Sequence, residues 1–224
     1  MGYVSDLHKD PLQVQDLHSF KADGLYRRGL KRIVDILLVL LSAPAWLPLI
    51  AVAALLVRRD GGPAFYVQKR VGRGGREFDF LKLRTMMVGA DAYLRDYLDE
   101  NPEAKAEWDR HQKLIDDPRI TGFGLLLRKT SLDELPQLLN VLYGDMSIVG
   151  PRPMMPDQKP LYSGMAYYEM RPGLTGFWQI SDRHATTFAA RAQYDQEYFE
   201  RMSLGTDIRV ILGTVRVVLR GTGA

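Results

Sequence analysis

IVDILLVLLSAPAWLPLIAVAALLV, residues 33–57, is the stretch on which the fold turns. It holds one charge, Asp35, and two interior prolines, Pro44 and Pro48. As a straight helix it would reach ~37 Å, enough for a hydrocarbon core of ~30 Å. Hydropathy alone therefore gives one transmembrane helix. The prolines argue against a straight span, because each removes a helix hydrogen bond and crowds the turn before it. Ser42 beside them offers a hydroxyl for a freed carbonyl. Both flanks are basic, with Arg27, Arg28, Lys31 and Arg32 before the run and Arg58, Arg59, Lys69 and Arg70 after it. Basic residues favour the cytoplasmic side of a bilayer, so both ends belong on one face. A helix that enters, bends over residues 42–48 and returns meets these constraints, since an arm of ~12 residues, ~18 Å, is too short to cross. The expectation is a re-entrant membrane helix–break–helix over residues 31–58.

Composition bounds what surrounds this segment. A mean hydropathy of −0.18 over 224 residues excludes a bundle of many spans. Residues 1–30 are polar and mixed in charge until the apolar run begins, which excludes a secretory signal and leaves an N-terminal tail. There is no cysteine, so disulfides, thiolate nucleophiles and zinc-thiolate sites are excluded. His8, His18, His111 and His184 never fall at metal-ligand spacing, so any metal is a hard, oxygen-ligated ion such as Mg²⁺. The net charge of +3 suits an anionic membrane surface or phosphorylated substrates. Nucleic acid is not an expected partner, because the basic residues lack interleaved stacking aromatics or a known module.

Downstream, PAFYVQKRVGRGGREFDFLKLR (63–84) has two β-prone runs around Gly72-Arg73-Gly74-Gly75, a hairpin signal. It carries Lys69, Arg70, Arg73, Arg76, Lys82 and Arg84. Residues 86–116 have a polar helical pattern broken near Asn101-Pro102. Over residues 207–220, apolar positions 208, 211, 212, 215, 218 and 219 form one helical face, with Arg209, Arg216 and Arg220 opposite. That face suits packing on the core or lying in a membrane interface. The fold class is α+β and mainly helical: a monotopic membrane protein with a re-entrant helix, a short β-hairpin and interfacial amphipathic helices. A cytoplasmic catalytic domain over 59–224 follows the tail (1–30) and membrane segment (31–58).

The chemistry concentrates in RKTSLDELPQLLNVLYGDMSIVGPRP, residues 128–153. Ser131 and Glu134 fit a capping box, in which acidic residues complement a helix dipole. Pro136 falls beyond the first turn of such a helix, and a helix starting near Pro136 accommodates it. Asp133 and Glu134 lie between Arg128-Lys129 and Arg152. Adjacent helical residues point ~100° apart, so the two carboxylates can serve different partners. A carboxylate nucleophile is an established route to a covalent phosphoryl intermediate, and guanidinium groups hold phosphate oxygens. Gly150-Pro151-Arg152-Pro153 presents its arginine from a stiff loop.

At these residues the chain resembles the monotopic phosphoglycosyl transferases, bacterial sugar transferases that initiate exopolysaccharide, O-antigen and capsule synthesis. The resemblance rests on Lys31-Arg32-x-x-Asp35, QKRVGRGGREFDFLKLRTM, DPRITGFGLLLRKTSLDELPQLLNVLYGDMSIVGPRP and RPGLTGFWQ, in order over most of residues 31–220. It implies that Asp133 attacks the β-phosphate of a UDP-sugar, releasing UMP, and that undecaprenyl phosphate then takes the sugar phosphate. Glu134 supports that step. Lys82, Arg84, Arg128, Arg152 and Arg171 hold substrate phosphate, and Mg²⁺ at Asp133 and Glu134 offsets diphosphate charge. The implied location is the bacterial inner membrane with the catalytic domain on the cytoplasmic face, in contact with membrane lipid and compatible with a homodimer. UDP-galactose and UDP-glucose are the favoured donors. Departures from the family pattern are Ala43 between Ser42 and Pro44, Leu83 and Thr85 in place of an aromatic and a serine, and the missing N-terminal extension of larger members, so no regulatory module is expected. Two other classes compete: a catalytically silent membrane-surface scaffold, which tolerates Asp133→Asn, and a lipid-phosphate phosphatase, which releases no UMP.

Overall fold

In the computed structural model of the protein, residues 24–111, 114–181, 188 and 190–219 are described. Most of the expected tail (1–23), His184 and Arg220 lie outside them, as do the side chains of residues 218 and 219. After a π-helical turn, Tyr26–Leu30, helix α1 runs from Lys31 to Val57 with Pro44 and Pro48 inside it. Helix α1 is continuous over 42–48 although Pro44 and Pro48 each remove one of its hydrogen bonds, so the expected break is not a change of secondary structure. Ser42 does not serve the carbonyls that the prolines free, those of residues 40 and 44. Its hydroxyl donates to the carbonyls of Leu38 (2.7 Å) and Val39 (3.2 Å) instead, a back-bonding that tends to bend helices.

The surface of α1 is apolar and open. Ile33, Leu37, Leu38, Leu40 and Leu41 are exposed in its first half, and Leu47, Leu49, Val52 and Leu55 in its second. Only 22% of its most apolar window is buried inside the protein. The core helix of a soluble protein would be mostly covered. Keeping this surface in water costs about 25 cal/mol per Å², which a hydrocarbon environment removes. By length and composition α1 can cross a membrane.

The remaining elements are strands β1 (Phe65–Val71) and β2 (Glu77–Leu83), helices α2 (Ala90–Glu100), α3 (Pro102–His111), α4 (Gly122–Thr130) and α5 (Gln137–Tyr143), strand β3 (Ser147–Val149), helix α6 (Ala166–Glu169), strand β4 (Gly173–Thr175), and helices α7 (Phe177–Ile180), α8 (Arg191–Arg201) and α9 (Leu204–Leu219). β1 and β2 pair as the expected hairpin. Its turn takes Gly74 and Gly75 through positive φ, which glycine adopts without steric cost. The chain divides into two compact units. The first comprises residues 24–43, 67–80 and 137–219, and the second 44–66 and 81–136.

In the first unit, β3 and β4 pair in parallel, Ser147 with Gly173 and Val149 with Thr175. Their crossing is so close that a Cβ on Gly173 would sit 2.1 Å from the Gly150 nitrogen, and one on Gly150 would sit 2.4 Å from the Arg171 carbonyl. Around this pair lies a core of Tyr26, Val149, Phe177, Tyr198, Met202 and Val210. A buried polar network runs through it. Asp207 accepts hydrogen bonds from Tyr26 (2.6 Å), Lys31 (2.6 Å) and Tyr198 (2.7 Å). Asp35 accepts from the Ser147 hydroxyl (2.6 Å) and the Ile148 amide (3.3 Å). The lone charge of the apolar run is thus held by protein partners. These bonds matter because an unpaired buried charge would cost several kcal/mol.

α9 distinguishes between the two roles that the sequence allowed its apolar face. Its core side is Thr206, Asp207, Val210 and Gly213, whereas Leu204, Ile208, Leu212 and Val215 form an exposed stripe. Most of the apolar face expected over 208–219 therefore does not pack on the core. Small and polar residues do, because the Asp207 network and the Thr214–Thr175 hydroxyl contact (2.6 Å) occupy that side. In the second unit, Ala53 and Val57 of α1 pack with Leu83, Leu127, Phe123 and Leu132.

Candidate active site around Asp133

The second unit builds the site from the end of β2, helix α4 and the turn after it. Thr121 caps α4 by accepting from the Gly124 amide (2.9 Å). The helix start lies on the backbone of Thr85: a Cβ on Gly124 would meet the Thr85 carbonyl at 1.9 Å. This closeness lets Arg128, one turn further, donate from Nε to the Thr85 hydroxyl at 2.9 Å. Thr85 was legible only as a departure from a family pattern. Its role here is to fix the guanidinium of Arg128.

Ser131 is not the N-cap of a capping box. It ends α4, with φ +56°, and its amide donates to the carbonyls of Arg128 and Leu127. The S-x-x-E spacing is met instead by a 3-10 turn, Leu132–Glu134, whose last amide bonds the Ser131 carbonyl at 3.2 Å. Glu134 is thereby released from capping and turns its carboxylate to Lys82. The following helix, α5, begins directly after Pro136, close to where that proline belongs.

Asp133 is 7% exposed. Lys82 Nζ lies 2.7 Å from Glu134 Oε1 and 3.8 Å from Asp133 Oδ2. The two carboxylates therefore share one ammonium, where the sequence allowed them separate partners. Burial pushes the Asp133 carboxyl above the ordinary carboxylate range; Lys82 opposes this, Glu134 reinforces it and Arg128 opposes it. Burial also lowers the Arg128 guanidinium, opposed by Asp133 and Asp117. Arg119, unremarked in the sequence, chelates Asp117 through two bonds of 2.8 and 2.6 Å and lies over the Trp108 ring. The result is a buried carboxylate beside a second one, with cations near both. Such a site can attack a phosphorus whose oxygens those cations neutralise.

Arg84 belongs to this unit but its donors are committed elsewhere. They reach both oxygens of Asp60 and the carbonyls of Val57, Pro63 and Met86. Arg84 holds Asp60 down to about 2 and staples the end of α1 to β2. This is a structural task, and the phosphate contact expected of Arg84 would require it to leave some of these partners. Arg152 and Arg171 belong to the first unit. Arg171 donates from Nε to the Gly144 carbonyl (2.8 Å), and Arg32 donates to the carbonyls of Val141 and Leu142, so both satisfy the C-terminal end of α5. Burial lowers the Arg171 guanidinium, helped by Arg32 and Arg73. The Arg152 guanidinium lies 5.7 Å from the centre of the Trp178 ring.

No group of three or more His, Asp or Glu side chains suited to a metal occurs among the described residues. Asp133 and Glu134 alone still fit Mg²⁺, which commonly takes one or two carboxylates and fills its other positions with water and substrate phosphate.

Residues 26–221 match the family described as bacterial sugar transferase. The exopolysaccharide production protein ExoY of Sinorhizobium fredii is 45% identical over 197 residues, 87% of either chain. The undecaprenyl-phosphate galactose phosphotransferase of Salmonella typhimurium is 45% identical over 199 residues, 88% of this chain and 42% of that one. This chain thus spans less than half of that relative. The UDP-glucose:undecaprenyl-phosphate glucose-1-phosphate transferase of Caulobacter vibrioides is 38% identical over 200 residues, 84% of this chain and 69% of the relative.

Proposed function

The chain belongs to the bacterial sugar transferase family, and from that premise we propose that it moves a hexose-1-phosphate from a UDP-sugar to undecaprenyl phosphate through Asp133. A carboxylate oxygen of Asp133 attacks the β-phosphorus. The bond from that phosphorus to the bridging oxygen breaks, and UMP leaves with that oxygen. An oxygen of undecaprenyl phosphate then attacks the same phosphorus and returns the carboxylate, giving the undecaprenyl-diphospho-hexose. The observation that carries this reading is the buried Asp133 paired with Glu134 around Lys82. Desolvation makes a carboxylate a stronger nucleophile toward a phosphorus whose charge is neutralised nearby. Lys82 and Arg128 meet the phosphoryl oxygens, and Glu134 keeps Lys82 in place. Asp133 and Glu134 would hold Mg²⁺, which when bound supplies charge neutralisation to the diphosphate.

The relatives named for galactose and glucose transfer favour those two hexoses, and the ExoY relative favours exopolysaccharide synthesis. The exposed apolar surface of α1 supports a membrane seat beside a lipid acceptor. In this reading α1 is re-entrant, the exposed stripe of α9 lies in the interface, and the catalytic domain faces the cytoplasm, where UDP-sugars are made.

The test is mass spectrometry of the protein incubated with UDP-galactose or UDP-glucose and no acceptor. A phosphohexosyl group on Asp133 together with free UMP is expected, and Asp133→Asn should give neither. UMP release with an unmodified Asp133 would exclude the covalent route. A phosphoryl adduct without sugar would favour a phosphatase, and no adduct or UMP with any UDP-hexose would favour a scaffold.

A further inference from the structure

Arg191 opens α8 in the first unit, and its setting is costly for a cation. The positive end of a helix dipole disfavours charge of its own sign in the first turn. The guanidinium lies 4.1 Å from the centre of the Trp178 ring and 4.6 Å from that of Phe188, and its Nε is buried with no hydrogen-bond partner. Asp195, one turn along, accepts a 2.6 Å bond from the Tyr162 hydroxyl and makes no ion pair with Arg191. Arg152 lies over the same indole ring and, like Arg191, makes no side-chain hydrogen bond or ion pair among the described residues. Burial pushes Arg191 down to about 10, and repulsion from Arg152 adds to the shift.

The Gly150 amide bonds the Thr175 carbonyl at 2.8 Å, which ties the loop carrying Arg152 to the strand leading into α7. On α7, next to Trp178, Gln179 is 8% exposed, and both polar atoms of its amide lack partners. Its Oε1 lies at the Gly150–Gly176 crossing, 3.0 Å from where a Gly176 Cβ would stand. Two half-buried guanidinium groups that make no ion pair among the described residues, one of them drawn only at longer range to Asp195, stand beside an unsatisfied buried amide, an incomplete arrangement. Uncompensated buried charge and unmade buried hydrogen bonds both cost free energy that a bound anion recovers.

We propose that Arg152 and Arg191, held against Trp178, form a seat for the phosphoryl oxygens of a substrate. Planar guanidinium groups suit this task because each offers parallel N–H donors to two oxygens. The seat deepens the reaction proposed above and rests on it for the identity of the ligand. The phosphate belongs either to the diphosphate of the nucleotide sugar or to the head group of the acceptor lipid.

Calorimetry on the full chain in detergent separates these sources, with UDP and undecaprenyl phosphate as the two probes. Arg191→Gln should weaken one or both by roughly tenfold to a hundredfold, Arg191→Lys should recover part of the loss, and Arg95→Gln on exposed α2 should change neither. Weakening of UDP alone assigns the donor, and weakening of the lipid phosphate alone assigns the acceptor. The ligand-free Arg191→Gln protein should melt close to wild type, because the lost ring contacts and Asp195 attraction are offset by relief from burial and from Arg152 repulsion. Unchanged affinity for both probes overturns the seat, and so does a lower melting temperature, which would make Arg191 a packing element. UMP release by the same wild-type sample keeps the two proposals apart. Release with unchanged Arg191→Gln affinities sinks the seat alone; absence of release with Arg191-dependent binding sinks the reaction alone.

Discussion

Lys82 gives its short bond to Glu134, at 2.7 Å, and leaves the buried Asp133 a looser contact at 3.8 Å. In the proposed reaction the looser contact leaves the Asp133 oxygen available to attack, with the short bond to Glu134 holding the ammonium nearby. Lys82→Met should therefore lower kcat/KM by roughly tenfold to a hundredfold, the equivalent of one uncompensated charged hydrogen bond. Lys82→Arg should retain part of the activity. Steady-state UMP release measures both, and near-wild-type rates in Lys82→Met would remove Lys82 from the site.

Ser131 is the one non-glycine residue with positive φ among those described. An L side chain pays for that conformation, so Ser131→Gly should stabilise the protein by about 0.5–1 kcal/mol after allowing for glycine's freer unfolded chain. Thermal unfolding in detergent checks it. A fall in melting temperature would show that the hydroxyl does support the following turn.

Asp195 is buried, and burial pushes its carboxyl up to about 7, opposed by the Tyr162 hydroxyl and Arg191. The folded state therefore binds a proton that the unfolded chain, titrating near 4, has released. Stability from this group is present below about pH 4 and is lost as pH rises toward 7, by on the order of 1 kcal/mol per pH unit. Asp195→Asn keeps an acceptor for Tyr162 and removes the titration. The variant should match wild type near pH 4 and exceed it at pH 7 in denaturant unfolding. Parallel pH profiles for the two proteins would show that Asp195 is ionised throughout.

Both ends of α1 should lie on one membrane face. The chain has no native cysteine, so single cysteines placed before Lys31 and after Arg59 report topology directly. Both should resist an impermeant thiol reagent added to intact cells and react after permeabilisation. Replacing Pro44 and Pro48 together by Leu restores two helix hydrogen bonds and should shift the second flank to the outside. Outside labelling of one flank in the wild type would establish a full span.

What was legible in the sequence was what composition and short spacing encode. The apolar run, the Gly72–Gly75 turn, the helix start at Pro136 and the Asp133–Glu134 pair near Arg128 are of this kind, whereas Lys82 joined them only through the family resemblance. Ser131 was misjudged because S-x-x-E fits a helix start and a helix end followed by a 3-10 turn equally well; only φ distinguishes them. Arg84 was counted with the phosphate ligands because its charge is visible in the sequence and Asp60, 24 positions away, is not marked as its partner. Arg191 carried no local signal, since its meaning depends on Trp178 and Arg152 arriving beside it. The sequence left the α9 face open between core and interface, because it does not show that a buried aspartate, bonded by Tyr26, Lys31 and Tyr198, claims the core side of that helix.

The bond between Lys31 and Asp207 also sets a schedule. The two residues are 176 positions apart. At roughly 5–20 residues per second, a ribosome makes Asp207 about ten to thirty-five seconds after Lys31. For that interval the apolar helix has emerged and can meet lipid, while the charges at its base lack the carboxylate that later receives them. The helix can therefore reach lipid early, but its base is secured only once Asp207, 176 residues further on, has been made. A nascent chain that stalls before Asp207 would carry the exposed apolar helix without the carboxylate that Tyr26, Lys31 and Tyr198 share in the finished fold.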